Sequence, residues 1–435
     1  MATTATFHIV MFPWFAMGHI TPYLQLSNKL AEKGHKVSFF IPKNTQNKVN
    51  HLNLHPQLIH FIPITIPHVD GLPLGTETMS EVPVTKSPFL LRALDLTQEQ
   101  VEPTLQKLKP DFIFFDLAYW IPSLAHTLGS KSVYFSVVSA VARAHRMGNP
   151  QLSNLKPSLP KDQTLMSTEI DGRISFVNRL LTATKESDAL CFRACSEMEG
   201  QSCEYLKKLY KKEVLLTGPI LPEPSDNPLE ERWANWLAGF KQGSVVYCAF
   251  GSECVLEKNQ FQELVLGLEQ TGLPFLVRLK PPFGAETLEE ALPEGFEERV
   301  RGRGVVYGGW VQQQQILNHP SVGCFLSHGG SASIWESLAS ACQIVFVPHF
   351  GPQFIDSQYM TENLKVAVTV ERRDEDGWFT RESVCKAVKL VMDEGSEVGE
   401  EIRANHHKWK EFLLSEGLEF SYLNNLILKL QDMLK

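Results

Sequence analysis

The stretch Trp310 to Gln353, WVQQQQILNHPSVGCFLSHGGSASIWESLASACQIVFVPHFGPQ, constrains the fold more than any other part of the chain. Val322 to Ser327 is a short apolar run, the mark of a strand buried on both faces. His328, Gly329, Gly330 and Ser331 turn the chain, Ser333 to Ala341 reads as a helix, and Ile344 to Pro348 as the next strand. A strand, a small-residue turn and a helix in succession specify a parallel α/β sheet. Such a turn is also a place to hold phosphate, because free backbone N–H groups and the positive end of the helix dipole meet there.

The same rhythm opens the chain. Phe7 to Phe12 reads as a strand, and PWFAMGH as the loop that follows it. Thr21 caps the expected helix with Pro22 at its first position. Val37 to Ile41 completes a βαβ unit. Further strands are expected at Leu58 to Ile66, Phe112 to Asp116, Ser132 to Val138 and Glu213 to Thr217. Gly71 to Pro88 reads as a long loop, and Pro88 to Leu108 as helix. Met147 to Glu169 reads as a loop excursion, and Pro219 to Asn227, PILPEPSDN, as a linker. A second series then starts with strands at Ser244 to Phe250 and Phe275 to Leu279. Two α/β domains follow, as the 435-residue length also suggests.

Composition narrows the partners. A net charge of −8 argues against nucleic acid. No apolar run reaches the roughly 18 residues of a membrane helix, and no basic segment precedes the first apolar run, so no signal peptide is expected. The eight cysteines show no C-x-x-C spacing. Reduced buried thiols in a cytoplasmic, metal-free protein are the expectation. There is no G-x-G-x-x-G after the first strand, no Walker sequence, no G-x-S-x-G and no H-E-x-x-H.

Several side chains fall at strand ends, where open α/β sheets bind ligands. His19 lies after the first strand and has the pKa range of a general base. A loop histidine bonded to nearby backbone is the plainer alternative. Asp116 ends another strand and could orient His19, or merely close a turn. Ser333 and Glu336 have the S-x-x-E spacing of a capping box, which would explain both without a ligand. His328 could donate to a phosphate oxygen or serve the turn. Gly251-Ser252 is a weak phosphate-turn signal. Trp310 could stack on a base or fill a core.

Taken together these segments resemble the plant UDP-sugar-dependent glycosyltransferases. Trp310 to Gln353 has the length, the first residue and the last residue of that family's C-terminal signature. It matches at Trp310, Gln313, His319 to Phe325, His328, Gly330, Ser333, Glu336, Ser337, Pro348 and Gln353. PW-x-A-x-GH-x-x-P over Pro13 to Pro22 and SVVYCAFGS over Ser244 to Ser252 match as well. The resemblance spans essentially the whole chain. It implies the GT-B fold, two facing Rossmann-like domains with parallel sheets and a C-terminal helix packing back on the N-terminal domain. The implied divisions are 1–218 for the acceptor-binding domain, 219–232 for the linker, 233–415 for the UDP-sugar-binding domain and 416–435 for the returning helix.

The resemblance also implies roles. Trp310 would stack on uracil with Gln313 nearby, and Glu336 would bind the ribose hydroxyls. Ser333 would touch the α-phosphate, while His328 and Ser252 would hold the diphosphate. Gly330, Ser331 and Ala332 would line the donor site, and Gln353 would reach sugar hydroxyls. His19 would be the base and Asp116 its partner. The reaction would invert the anomeric centre, with UDP-sugar as co-substrate, no other cofactor, and a monomer as the working form.

Finer signals are VDGLP-x-G-x-ET (Val69 to Thr78), ALCFRACSEMEG (Ala189 to Gly200), AFGSE (Ala249 to Glu253) and WVQQQQIL without the usual Pro. They resemble the branch that extends sugars on flavonoid and anthocyanin 3-O-glycosides. Four positions depart from the family, with Gly329 in place of a small Cys and Ser331 where many members have Trp. Ala332 replaces an Asn in the usual His-Cys-Gly-Trp-Asn-Ser, and Pro352 replaces the penultimate Asp. Half of a glucose-recognition pair is missing, so glucose, xylose and rhamnose all stand as donors. The competing readings are an aglycone O-glycosyltransferase of the same fold, a nucleotide-fold oxidoreductase and a catalytically impaired UDP-sugar- or flavonoid-binding protein.

Overall fold

The computed structural model describes residues 6–155, 174–221, 228–373 and 375–435. Those residues fall into two compact units. The first takes the chain through Asn149, the part ending at Ile220, and Glu416–Lys435; the second takes the described residues from Pro150 to Leu155 together with Leu221–Ser415.

The first unit carries β1 (His8–Phe12), β2 (Lys36–Pro42), β3 (Ile59–Ile64), β4 (Phe112–Phe115), β5 (Lys131–Ser136), β6 (Ala189–Phe192) and β7 (Val214–Leu216). They hydrogen-bond in the order β3-β2-β1-β4-β5-β6-β7, every pair parallel. The order reverses at β1, with β2 on one side and β4 on the other. That is the topological switch point, where helices depart to opposite faces and leave a crevice. Parallel strands need cover on both faces, and the four residues of β4 are all buried.

The helix Leu418–Met433 belongs to this core. Leu423, Leu426, Ile427 and Leu430 bury one face at helical spacing among Ile9, Phe39, Phe114 and Leu215. Each such side chain contributes about 1.5–3 kcal/mol of apolar burial. Tyr422 Oη takes the backbone N–H of Ser196 at 2.7 Å and donates to Glu197 at 2.6 Å. Gly218 is required below it, since a Cβ there would lie 2.6 Å from Tyr422 Cβ.

The second unit carries β8 (Val245–Ala249), β9 (Phe275–Arg278), β10 (Gly304–Tyr307), β11 (Val322–Ser327), β12 (Gln343–Phe346) and β13 (Ala367–Thr369). Their order is β10-β9-β8-β11-β12-β13, again all parallel. The switch point falls between β8 and β11.

Several boundaries differ from expectation. The first helix is Met17–Glu32, so Thr21 does not cap it and Pro22 lies inside. His19 N and Ile20 N both bond Ala16 O at 2.9 Å, which starts the helix five residues early. Buried Trp14 and Phe15 fix the chain just before that point. The expected helix of Pro88 to Leu108 is two helices, Ser87–Leu96 and Gln98–Leu108. Strands β6, β10 and β13 were not separated from their surroundings by pattern, being only three or four residues long. Most of the expected loop excursion and of the Pro-rich linker lies outside the described residues.

Candidate active site and nucleotide site

The first constellation grows out of the β1–β4 pairing. Phe12 and Phe115 are partners in register, so the residues after them leave the same sheet edge side by side. His19 stands in the first turn of the helix Met17–Glu32, a rigid position rather than a free loop. Asp116 directly follows β4 and is buried. His19 Nδ1 lies 2.5 Å from Asp116 Oδ2, and Asp116 Oδ1 accepts the backbone N–H of Leu117 at 2.6 Å. A carboxylate only accepts, so Nδ1 carries the proton and donates. In neutral imidazole Nε2 is then the bare lone pair, and among the described residues nothing bonds it. The two plainer alternatives are settled differently. His19 bonds a side chain rather than local backbone, whereas Asp116 both closes its own turn and holds the imidazole.

Loops around that edge are pinned by buried carboxylates. Glu77, in the VDGLPLGTET segment, accepts Asn44 N at 2.9 Å and both Thr45 N and Thr45 Oγ1 at 2.8 Å. Glu199, in ALCFRACSEMEG, accepts Ala140 N at 2.7 Å at the start of the helix Ala140–Arg146. Pattern reading had no role for either. The available signal was an acid in an otherwise polar-poor segment, but its partner is set by the fold.

The second constellation lies at the other switch point. Ala249 and Ser327 are register partners, so Ser252 and His328 leave the same edge. Gly251 and Gly329 both have positive φ, 69° and 77°, a left-handed turn that glycine enters without strain. The next helix is Ser331–Ala339, and its N-cap Gly330 has extended backbone and no side-chain cap. First-turn N–H groups at Ser331, Ala332 and Ser333 therefore have no intrahelical acceptor. The capping-box alternative is thereby corrected. Ser333 is the third residue of the helix, not its cap, because Gly330 starts the helix two residues earlier than expected. Glu336 Oε2 instead accepts Gln313 Nε2 at 2.6 Å, and Gln313 Oε1 accepts Tyr247 Oη at 3.2 Å.

Trp310 is 70% exposed, which rules out the core alternative and leaves a bare aromatic face. The residue behind it is held by Arg278, whose Nε donates to Gly309 O and Nη1 to Gly251 O, each at 3.0 Å. Arg278 ends β9, a charge at a strand's carboxyl end that sequence reading passed over. His328 packs beside Phe250, and a Cβ on Gly330 would lie 2.5 Å from its Nε2. Burial lowers its pKa to about 4, so it is neutral near pH 7 and can donate through one nitrogen only. His349 is pushed down further by burial, then by Arg372 and His328. Gln353 Oε1 accepts His349 N at 2.9 Å and Phe350 N at 3.0 Å. Its carbonyl end is thus engaged locally. Pro352 is the second residue of the helix Gly351–Glu362, where the missing N–H costs no intrahelical bond.

Two parallel sheets, each with polar side chains gathered at its switch point, define an α/β protein of the GT-B type. The family described as UDP-glucoronosyl and UDP-glucosyl transferase matches residues 217–403. The cyanidin 3-O-galactoside 2''-O-xylosyltransferase FGGT1 of Actinidia chinensis var. chinensis is 51% identical over 99% of both chains. The anthocyanidin 3-O-glucoside 2''-O-glucosyltransferase of Ipomoea nil is 48% identical over 99% of this chain and 98% of its own. The fold matches that of Glycyrrhiza uralensis UGT73P12 with a TM-score of 0.83 at 22% identity, over 99% of this chain and 96% of that one. The chain belongs to the plant UDP-glycosyltransferases. Among the described residues, no helix is long and apolar enough to cross a membrane.

Proposed function

We propose that this enzyme transfers a sugar from a UDP-sugar to a hydroxyl on the sugar of a flavonoid or anthocyanin 3-O-glycoside, with inversion. The observation that carries the chemistry is the His19–Asp116 contact of 2.5 Å at the switch point of the first sheet. His19 Nε2 takes the proton of the acceptor hydroxyl as its oxygen attacks the anomeric carbon. The bond from that carbon to the diphosphate breaks, and its electron pair leaves with UDP. Asp116 keeps the imidazole in the productive tautomer and stabilises the imidazolium as it forms.

The first unit receives the acceptor and the second holds the donor. Trp310 stacks on uracil, and the Gln313–Glu336 pair takes the ribose. His328, Ser252 and the N–H groups at Ser331, Ala332 and Ser333 meet the diphosphate, stabilising charge on the leaving group without a metal. Gln353 offers its amide to the donor sugar. The boundaries 1–218, 219–232, 233–415 and 416–435 follow from that division. The enzyme works in the cytoplasm as a monomer, with no cofactor beyond the UDP-sugar.

Full-length similarity to two enzymes named for 2''-O-transfer supports the glycoside acceptor, and their names differ in the sugar moved. The decisive assay sets UDP-glucose, UDP-xylose, UDP-rhamnose and UDP-galactose against aglycones and 3-O-glycosides, with products resolved by mass. Transfer to the sugar of a 3-O-glycoside is the expected product, and transfer only to aglycones overturns the proposal. His19→Ala should abolish transfer while UDP still binds. Turnover at the wild-type rate in that variant removes the base assignment.

A further inference from the structure

An ion pair between a buried arginine and a part-buried acid, outside the residues discussed so far, reaches the His19–Asp116 pair through the backbone. Arg179, one turn into the helix Phe176–Glu186, is 2% exposed. Its Nη1 and Nη2 each donate to a different oxygen of Asp95 at 2.6 Å, a two-point fork. Asp95 sits in the last turn of the helix Ser87–Leu96. The same Nη1 also donates to Leu117 O at 3.1 Å. The guanidinium lies over the ring of Tyr119 at 4.8 Å, and Tyr119 N donates to Leu117 O as well. Leu117 N is in turn the donor to Asp116 Oδ1.

Leu117 is therefore held on both sides. Its carbonyl is fixed by Arg179 and its N–H fixes the carboxylate that orients His19. Asp116 has two oxygens, one turned to His19 and the other to Leu117. A shift of the Leu117 peptide rotates the carboxylate and moves Nε2 of His19 with it. We infer that Arg179, locked by Asp95, is a positioning residue for the base, setting the Asp116 carboxylate through the Leu117 peptide. The inference rests on the proposed role of His19 and Asp116. A buried arginine needs its acid partner in any case, so stability alone does not test the idea.

The test is a double-mutant cycle on the full chain, reading kcat, UDP-sugar KM and Tm. Arg179→Met removes the donors and leaves a carboxylate that is partly exposed to water. We expect kcat to fall on the order of 10- to 100-fold, the scale of a small misplacement of a reacting group, with UDP-sugar KM unchanged. Asp116→Asn is expected to lose more. If Arg179 acts through Asp116, the double variant turns over no more slowly than Asp116→Asn alone. Arg179→Lys, which keeps the charge opposite Asp95 but not the fork, should restore Tm and only part of kcat. The same cycle on that variant decides the matter if Arg179→Met does not fold. Normal kcat in either foldable Arg179 variant overturns the inference and leaves the base assignment intact. So do losses that multiply in the double variant. Normal turnover in Asp116→Asn overturns the base assignment and this inference with it.

Discussion

At the scale of single residues, the proposed diphosphate contacts would come from neutral donors. Burial lowers the pKa of His328 to about 4, so in its proposed role it would offer a diphosphate one N–H and a dipole. The helix Ser331–Ala339 adds backbone donors at its uncapped start. In the proposed donor site, Pro352 is the position to test for donor choice. It occupies the second position of the helix Gly351–Glu362, where an aspartate is compatible with both backbone and dipole. Pro352→Asp should therefore fold normally and raise the kcat/KM ratio for UDP-glucose over UDP-xylose. An unchanged ratio in competition assays removes this position from donor selection.

At the scale of elements, the edge of the first sheet depends on acids that cap backbone far from them in sequence. Glu77 joins the segment after β3 to the turn after β2 through three hydrogen bonds. Met79 N adds a bond to Phe15 O at 2.9 Å, beside the helix that carries His19. Replacing Glu77 by glutamine turns one acceptor into a donor facing other donors. The loss should be about 1–3 kcal/mol, the cost of an unmade bond to a charged group. It should appear as a lower Tm together with a raised KM for the acceptor and an unchanged KM for UDP-sugar. Equal effects on both KM values would show that the segment is not specific to the acceptor side.

At the scale of the whole molecule, burial lowers His8 and His35 in the first unit, and the largest histidine shifts fall in the second. His328 and His406 are each held at about pKa 4 by burial, and His349 is also lowered. His406 reaches across from the helix Glu397–Leu413 to Ser337 O at 3.1 Å. An unfolded histidine titrates near 6.5, so the unfolded chain binds these protons first. The stabilisation is complete above about pH 6.5 and is lost as pH falls towards 4. Tm should fall steeply through that window, and His406→Gln should make the slope shallower. A slope unchanged by that substitution would place the acid sensitivity elsewhere.

Period and punctuation in the sequence determined the α/β class, the two series of parallel strands, and the turns that carry Ser252 and His328. Apolar runs of four to six residues that alternate with helical segments read as parallel strands buried under helices, and that signal is local. The candidate nucleotide-site residues from Trp310 to Gln353 were legible for the same reason, since turn, helix start and side chains lie within one continuous segment. Tertiary structure alone decided three matters. Glu336 bonds Gln313 rather than capping a helix, because Gly330 sets where that helix begins. Arg278 ties the Gly251 and Gly309 carbonyls together, because β9 lies between β8 and β10. His19 meets Asp116 across 97 positions of chain, because β1 and β4 are neighbours in register. Strand order is fixed by packing of the whole sheet, and no local pattern encodes it.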